Sequence, residues 1–541
     1  MAEVAGTIPL GAPAPGPPAG DARPPGAARR SGGRPPVALA GAGAAIAAAM
    51  AVPLAYLVVR AAGAEDPLGL VASDRVLRFL WGTLRLAVAV TASTLVLGVG
   101  LAWLVERTDL PARRVLGVAA ALPLVVPTYV GALALKAAFG PRGLLVELPG
   151  LVGFWGVTLA LGLSTYPYVY LLARATLASS DPAVEEAARA LGDGPVASFR
   201  RAVLPQLRPA AATGGLLSFL YVLSDFGAVS ILQYDTLTRA IFLEYRSLTA
   251  DRAPAAVLGV VLVVLTVAAI VVERVLRGPP VASPAGGGRR PPSLVPLGRW
   301  RFPAAAAVAG VVAAGIVLPV GVVGYWASVG SSGAGAGGVL VRTASTSVGL
   351  SAAAAAAAGV LAVPVAVLGV RHRSRFSRAV ETLCYAGYAL PGLVIGLALV
   401  FFANRYLPAV YQTLPLVVAA YVVRFLPEAL SAVTSSLVRV DPVLEEAGRS
   451  LGRRPLAVTA TVTLPLVRPG LLAGAALVFL TAMKELPATL LLRPAGADTL
   501  AVRVWTGAAE GFYAQAAPAA LLLIAVSALV LWPLRPARMG G

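Results

Sequence analysis

The sequence predicts an all-α polytopic membrane protein that consists of two homologous bundles of six membrane spans each. This prediction rests on the composition, the recurrence of long apolar runs and one internal repeat. Of the 541 residues, 58% are hydrophobic and 13% are charged, whereas soluble chains carry roughly 25% charge. The mean hydropathy is +0.81. This composition argues against a soluble enzyme, a disulfide-stapled secreted protein and a largely disordered chain.

Twelve apolar runs are long enough to span a bilayer. A hydrocarbon core of about 30 Å takes roughly 20 helical residues, and only helices satisfy their own backbone polar groups in lipid at these run lengths. Pro123, Pro127 and Pro391 are interpreted as kinks within spans rather than as functional groups. The predicted span centres lie near residues 48, 92, 127, 162, 222, 264, 315, 355, 391, 418, 481 and 526.

The basic residues predict the orientation in the membrane. Segment 1–36 is rich in Pro, Gly and Ala and is predicted to be a disordered cytoplasmic tail. If this tail is inside, the inside segments hold about three times the Lys and Arg of the outside segments, so both termini are predicted to be cytoplasmic. The net charge is +19. No nucleic-acid partner is predicted, because the basic residues separate apolar runs instead of forming one continuous face.

Two segments between the apolar runs repeat each other. DPAVEEAARALGDGPVASFRRAVLPQLRP covers residues 181–209, and DPVLEEAGRSLGRRPLAVTATVTLPLVRP covers residues 441–469. The chain is therefore predicted to contain two fused homologous halves, 37–276 and 303–541, joined by a linker at 277–302. Identical residues align without a gap at a constant offset of 260, as in Asp181/Asp441, Glu185/Glu445, Glu186/Glu446, Gly192/Gly452, Pro195/Pro455, Pro205/Pro465 and Pro209/Pro469.

Each copy carries the local signals of two short helices. These are a capping Asp, a Pro suited to the first turn, two Glu near the positive end of the helix dipole and a Gly that ends the helix. Pro195 is predicted to begin the second short helix and Pro205 to end it. An ordinary amphipathic loop is the alternative, which two gapless copies at equivalent places disfavour. In the first copy the signals fall on Asp181, Pro182, Glu185, Glu186 and Gly192.

The repeated pattern resembles the loop of ABC-type importer permeases, in which Glu-Ala-Ala and a Gly precede an aliphatic position and Leu-Pro. Ala202 stands at the aliphatic position of the first copy, and Gly448 replaces the second Ala of the other. In that family the loop is the coupling helix that docks into an ATPase subunit. The resemblance implies coupling roles for the pattern and for the adjoining Glu185 and Glu445. The pattern falls on Glu186, Ala187, Ala188, Gly192, Leu204 and Pro205, and on Glu446, Ala447, Gly452, Val462, Leu464 and Pro465.

A narrower resemblance follows each loop. SDFGAVSILQYDTLTRAIFLEY (224–245) and MKELPATLLLRPAGADTLAVRVW (483–505) are similar to the fused, two-half permeases of the ferric-iron uptake class. The resemblance implies a binding-protein-dependent importer for ferric iron, with thiamine or another small solute as alternatives. It also implies a cytoplasmic ABC ATPase dimer on the two loops and an extracellular or periplasmic binding protein at segments 235–253 and 495–516.

The chain is not expected to be an enzyme or to hold a cofactor. A phosphate-binding loop needs Gly-rich backbone followed by Gly-Lys-Ser/Thr, and neither Lys136 nor Lys484 lies in such a run. ATP hydrolysis is therefore assigned to the partner. His372 is interpreted as an incidental solvated residue and Cys384 as a small apolar filler.

Two carboxylates within or at the edge of the spans are candidate pathway residues. Asp225 and Glu485 pair at the same offset of 260, and charged groups in membrane spans usually face a pathway or a partner. Carboxylates with Tyr221 or Tyr234 are hard oxygen ligands suited to ferric iron. The alternative is a structural pair that joins the halves or caps an interrupted helix, and no direct metal site is predicted.

Two other function classes fit these patterns less well. A twelve-span secondary transporter of the facilitator type also has two six-span halves, with a diagnostic basic loop after its second span. The corresponding segment here, ERTDLPARR at 106–114, is only weakly similar to that loop. Membership of that class would also not account for the two repeated segments, 181–209 and 441–469. A polytopic enzyme acting on lipid would need a His/Asp/Glu constellation, which the sequence lacks.

Overall fold

The described part of the chain is mostly helical. The computed structural model describes residues 35–179, 183–247, 252–277, 294–330 and 336–531. Within these ranges, the one β-type pairing is an isolated bridge between Thr108 and Val295. The predicted all-α fold is therefore confirmed. Several predicted features lie outside the described residues, namely the tail to residue 34, linker residues 278–293, Asp181 with Pro182, and the C-terminal end 532–541.

The first half contributes helices α1 to α12 among the described residues. Side-chain caps begin several of them, as when Ser73 Oγ accepts a hydrogen bond from the backbone N–H of Val76 at the start of α3. The helices are α1 (Val37–Ala62), α2 (Pro67–Ala72), α3 (Asp74–Arg107), α4 (Arg113–Ala119), α5 (Thr128–Phe139), α6 (Gly156–Ser179), α7 (Ala183–Ala190), α8 (Pro195–Ser198), α9 (Leu204–Ser224), α10 (Gly227–Ile231), α11 (Leu237–Arg246) and α12 (Ala253–Arg277).

The second half repeats this order in α13 to α24. Asp441 caps α19 through Val443 N–H, and Thr499 caps α23 through Val502 N–H. The helices are α13 (Arg301–Val312), α14 (Leu318–Val329), α15 (Ala336–Arg371), α16 (Arg375–Ala389), α17 (Gly392–Tyr406), α18 (Leu414–Leu437), α19 (Pro442–Ser450), α20 (Pro455–Val458), α21 (Leu464–Met483), α22 (Pro487–Leu492), α23 (Leu500–Glu510) and α24 (Tyr513–Leu531).

The described residues provide up to eleven candidate membrane spans where the sequence predicts twelve. Nine helical segments are long and apolar enough on their own, and two bent helix pairs bring the number to eleven. The remaining predicted span corresponds to α9, whose 21 residues reach about 31 Å at 1.5 Å per residue. Helix α9 packs against α3 and α6, as its counterpart α21 packs against α15 and α18. This equivalence supports α9 as the twelfth span.

The span centres predicted near residues 222 and 481 are wrong. They lie at the ends of α9 and α21, because each of these helices begins earlier than expected. A π-helical turn, Phe199–Val203 or Thr459–Thr463, leads directly into each helix. The prediction that Pro205 ends a short helix is also wrong. Pro205 lies in the first turn of α9, where its missing N–H costs little.

Pro127 and Pro391 break their helices instead of kinking them. Each occupies the N-cap position of a helix, α5 or α17. The preceding residue is extended, with ψ of 118° at Val126 and 121° at Leu390, because proline disfavours helical geometry at that position. The helix pairs on either side of the two prolines are bent by 94° and 107°. Pro123 lies in the 3₁₀ turn Leu122–Val125 before the first break.

The two halves are interlocked. Helix α1 packs against α12 of its own half and against α15, α16 and α17 of the other half. In the second half, α14 packs against α24 and also against α5. The first span of each half therefore lies partly on the opposite half, and the buried core is continuous between them.

Candidate functional site

A cavity of about 240 Å³ lies where the helices of both halves are interrupted. The ends of α9 and α21 and the starts of α5 and α17 meet around it. Both predicted carboxylates, Asp225 and Glu485, line this cavity together with Tyr221. Each half therefore contributes one of the two carboxylates that the repeat pairs. The polar lining of the cavity comprises Thr128, Tyr129, Tyr168, Tyr221, Ser224, Asp225, Tyr388, Arg424, Glu428, Thr481, Lys484 and Glu485.

Asp225 is a buried helix cap. It follows the last residue of α9 and is 7% exposed. Its Oδ1 accepts hydrogen bonds from the backbone N–H groups of Ala228 and Val229, and its Oδ2 accepts one from Thr128 Oγ1 at 2.7 Å. These donors offset the cost of burying a carboxylate. They also tie the start of α10 to α5, so Asp225 fixes one corner of the cavity.

Glu485 has the equivalent place in the second half. It is 5% exposed, and its Oε1 accepts a hydrogen bond from the backbone N–H of Ala488 in α22. Its Oε2 forms an ion pair with Arg424 Nε at 3.3 Å. Gly392 leaves room for this pair, because a Cβ at that position would lie 1.7 Å from Arg424 Nη1 and 2.5 Å from Glu485 Oε1.

Polar contacts from the second half reach the first half directly. Arg424 Nη2 donates a hydrogen bond to Ser224 Oγ at 3.2 Å, and Lys484 Nζ donates one to the Leu124 carbonyl at 3.2 Å. Trp505 Nε1 donates to Ser230 Oγ at 3.0 Å. These bonds join the halves beside the cavity, and the first two use charged donors that are partly buried.

The cavity lining is asymmetric although the backbone repeats. At the offset of 260, Tyr168 corresponds to Glu428 and Ser224 to Lys484, and Ser164 corresponds to Arg424. The second half therefore supplies charges where the first half supplies hydroxyl groups. Sequence reasoning missed Arg424 and Glu428. Their spacing of four residues in an otherwise apolar span was the available signal, because it places both on one helix face.

Tyr234 does not line the cavity. Its hydroxyl donates a hydrogen bond to the Gly82 carbonyl at 3.3 Å, and its ring packs 5.6 Å from that of Phe154. The structure thus separates the two predicted tyrosines, with Tyr221 at the cavity and Tyr234 against α3. The sequence pattern does not reveal that Tyr221 lies at the cavity and Tyr234 does not.

The second repeated segment, 441–469, is anchored to the body of the protein by Glu445. This carboxylate is buried and pairs with Arg371 at the end of α15 at 3.1 Å. It also accepts a hydrogen bond from Thr463 Oγ1 at 3.0 Å and pairs with Arg449 at 3.5 Å. The neighbouring Glu446 and Ala447 are exposed. One acidic residue of the pair therefore holds the segment in place, and the other faces outward.

The outer part of this segment continues on the same exposed surface. Gly452 ends α19 with φ of +78°, a conformation that glycine adopts without strain. Leu464 and Pro465 are exposed at the start of α21. The turn is held to the following π-helical turn, since Arg453 Nη1 donates a hydrogen bond to Thr461 Oγ1 at 2.8 Å.

The first repeated segment, 181–209, has the same local form. Gly192 has φ of +93° and follows α7, so the predicted glycine stop is confirmed. Arg201 pairs with Asp193 at 2.7 Å, at positions equivalent to the Arg453–Thr461 contact. Glu186, Leu204 and Pro205 are half-buried and Ala187 is exposed, while the side chain of Glu185 lies outside the described residues.

Two other sequence predictions concern isolated side chains. Cys384 is fully buried in α16 and has no disulfide, which fits its interpretation as an apolar filler. His372 is half-buried, and its carbonyl accepts a hydrogen bond from Ser377 Oγ. His372 is therefore more enclosed than predicted, because the chain turns tightly between α15 and α16.

Known proteins resemble this chain over most of its length. A family model described as the inner membrane component of binding-protein-dependent transport systems matches it twice, at residues 94–277 and 358–534. The Fe(3+)-transport system permease protein FbpB 2 of Haemophilus influenzae is 34% identical over 495 residues, which cover 90% of this chain and 95% of the relative. The ferric transport system permease protein FbpB of Actinobacillus pleuropneumoniae is 24% identical, over 76% of this chain and 64% of its own length.

Shorter relatives match part of the chain. A probable molybdenum ABC transporter permease protein of Haloferax volcanii is 36% identical over 35% of this chain and 72% of its own length. The two separate matches to one family model agree with the internal repeat. The chain therefore belongs to the family of inner membrane components of binding-protein-dependent transport systems, as a multi-pass ABC permease with two fused copies of the family domain.

Proposed function

We propose that this chain is the permease of an ATP-driven importer for ferric iron. The observation that carries the proposal is the similarity, over nearly the whole of both chains, to a relative that is named as a Fe(3+)-transport permease. The cavity adds chemical support. Carboxylate and phenol oxygens from both halves line it, and hard oxygen ligands suit ferric iron.

The substrate path is proposed to pass through the cavity between the halves. Asp225 and Glu485 hold the broken ends of α9 and α21, so movement of these helices would reshape the cavity. Tyr221 lies on its wall. Rocking of two rigid bundles about their interface would then open the cavity alternately to each side of the membrane.

The energy is proposed to come from a separate cytoplasmic ABC ATPase dimer. Segments 181–209 and 441–469 are proposed as coupling loops, with one ATPase subunit on each. In the second coupling loop, the exposed Glu446, Ala447, Leu464 and Pro465 face outward while Glu445 transmits motion through Arg371 into α15. In the first, Glu186, Ala187, Gly192, Leu204 and Pro205 take the corresponding roles.

The remaining proposals concern the two sides of the membrane. Both termini are proposed to be cytoplasmic, which places the two coupling loops on the side of the ATPase. A substrate-binding protein is proposed to dock outside on segments 235–253 and 495–516, which include α11 and α23. Trp505 of α23 contacts Ser230 of α10, so docking there would act directly on the interface between the halves.

An oxyanion importer is the second candidate. Arg424 and Lys484 line the cavity as positive groups, and matching relatives include permeases named for molybdenum and for sulfate. Those relatives cover 35% and 25% of this chain. The coverage of the ferric relatives and the three acidic groups at the cavity therefore favour the cation.

Uptake measurements distinguish these candidates. The chain is expressed with its ATPase and binding protein in a strain that lacks ferric uptake, and accumulation of radioactive ferric iron is measured with and without ATP depletion. We expect ATP-dependent iron uptake, with no uptake of labelled molybdate, sulfate or thiamine. Uptake of one of those solutes without iron would overturn the proposed substrate, and uptake that persists without ATP would overturn the mechanism.

A further inference from the structure

One carboxylate at the cavity is not engaged by the contacts that hold the halves together. Asp225 is satisfied by three hydrogen-bond donors, and Glu485 is held by Arg424 and a backbone N–H. Glu428 accepts one hydrogen bond, from Thr481 Oγ1 at 3.0 Å. In the described part of the chain, no basic group forms an ion pair with it. Its carboxylate retains free acceptor capacity next to the cavity.

Four phenol groups line the same cavity. Tyr129, Tyr168 and Tyr221 come from the first half, and Tyr388 comes from the second half, as does Glu428. The rings of Tyr168 and Tyr221 lie 6.2 Å apart. Tyr129 is 4% exposed, and its hydroxyl has no hydrogen-bond partner among the described residues. A buried hydroxyl without a partner is costly, and Tyr129 lines the cavity, so its oxygen is a candidate donor to a group held there.

We infer that Glu428 and the tyrosines Tyr129, Tyr168, Tyr221 and Tyr388 form a transient oxygen-donor site for a hard trivalent cation in passage. The inference rests on the proposed function and names the place where the substrate is held between the halves. Phenolate and carboxylate oxygens are hard ligands. Because both halves supply donors, rocking of the bundles would separate the ligands and release the ion.

The charges around the cavity favour transient binding of a cation over tight binding. A tight metal site would gather several strong ligands, but among the described residues no three His, Cys, Asp or Glu side chains form such a group. Arg424 and Lys484 line the cavity beside Glu428 and repel a cation. Conduction requires binding that is strong enough to accept an ion and weak enough to release it.

A spectroscopic titration tests the site without relying on transport. The purified full-length chain in lipid nanodiscs is titrated with ferric nitrilotriacetate, and the visible absorption of a ferric–phenolate bond is recorded. We expect this band in the wild type. Glu428→Gln, which keeps the size of the side chain, should weaken ferric binding about tenfold or more. Tyr168→Phe with Tyr221→Phe should remove most of the band.

Matched variants and a transport assay complete the test. Tyr234→Phe, outside the cavity, should leave the band unchanged. Absence of the band in the wild type, or an unchanged band in Glu428→Gln, would overturn the site. Iron uptake by the complete transporter is measured in parallel. Normal wild-type and Glu428→Gln uptake would refute the site alone, whereas no iron uptake by the wild type would refute the proposed function.

Discussion

The Arg371 guanidinium lies 3.1 Å from the Glu445 carboxylate, and this ion pair joins the last residue of α15 to α19 in the second repeated segment. Both side chains are largely withdrawn from solvent, with exposed fractions of 11% and 7%. Arg371 also donates a hydrogen bond to the Val440 carbonyl at 2.9 Å. A force on the loop would therefore be transmitted to a membrane span through a short, buried connection.

Removing Arg371 is expected to uncouple this loop. Arg371→Ala leaves Glu445 buried without its main partner, and breaking a buried pair costs about 3 kcal/mol or more. ATP-driven uptake should fall strongly while the protein still inserts into the membrane. Arg449 is the matched control, because it also pairs with Glu445 but has a 53% exposed side chain. Arg449→Ala should cost less than about 1 kcal/mol, measured by thermal unfolding in nanodiscs.

One acidic residue of each proposed coupling loop, the half-buried Glu186 and the exposed Glu446, is expected to be needed for contact with the ATPase. The double variant Glu186→Arg with Glu446→Arg reverses two charges on the proposed docking surfaces. The new positive charges would repel a partner surface that is complementary to the acidic residues. ATP-driven uptake should be abolished, with membrane insertion intact. Glu147→Arg, at another exposed position, serves as the control. Wild-type uptake by the double variant would refute the coupling role.

Gly392 is expected to matter through the ion pair beside it. The new methyl group of Gly392→Ala would displace Arg424 Nη1, the flexible end of a side chain. The Arg424 side chain can move to relieve the clash, but this movement takes it away from Glu485 and Ser224. Overpacking costs about 1–3 kcal/mol, and uptake should fall. Gly349→Ala is the control in α15, where a Cβ meets nothing within 4 Å. Equal unfolding temperatures and uptake in both variants would contradict this account.

A compensating variant separates the charge effect from the shape effect. Arg424→Met alone leaves Glu485 as an uncompensated buried carboxylate and should destabilise the protein by about 3 kcal/mol. Adding Glu485→Gln removes that charge and should restore most of the lost stability. The thermal unfolding of both single variants and of the double variant gives the coupling between the two residues. Additive losses would mean that the pair does not interact as the distance of 3.3 Å indicates.

The repeat made much of the architecture predictable. The constant offset of 260 pairs Asp225 with Glu485 from the sequence alone, and the structure places both at one cavity. The glycine stop at Gly192 was likewise readable, because a positive φ favours glycine. Local chemistry and a repeated pattern specify such features without knowledge of distant neighbours.

Other features depended on contacts that a sequence pattern does not contain. Glu445 and Glu446 look alike in the repeat, but Glu445 is buried against Arg371. Arg371 lies 74 residues earlier in the chain, so the local pattern does not reveal this contact. The breaks at Pro127 and Pro391 looked like kinks, since proline alone does not determine the size of a bend. The orientation of the termini and the functional roles of the coupling loops stay predictions.

The interlocked first spans predict that the two halves depend on each other for folding. Chains cut within residues 278–293 keep α1 with the first half and α14 with the second. Because α1 packs against α15, α16 and α17, and α14 packs against α5, each half expressed alone would expose a packing face and should be degraded.

Co-expressed halves should associate, co-purify and retain uptake, although the cost of association makes the pair less stable than the fused chain. Affinity purification through a tag on one half measures this directly, and a stable, monodisperse single half would show that the crossed packing is dispensable.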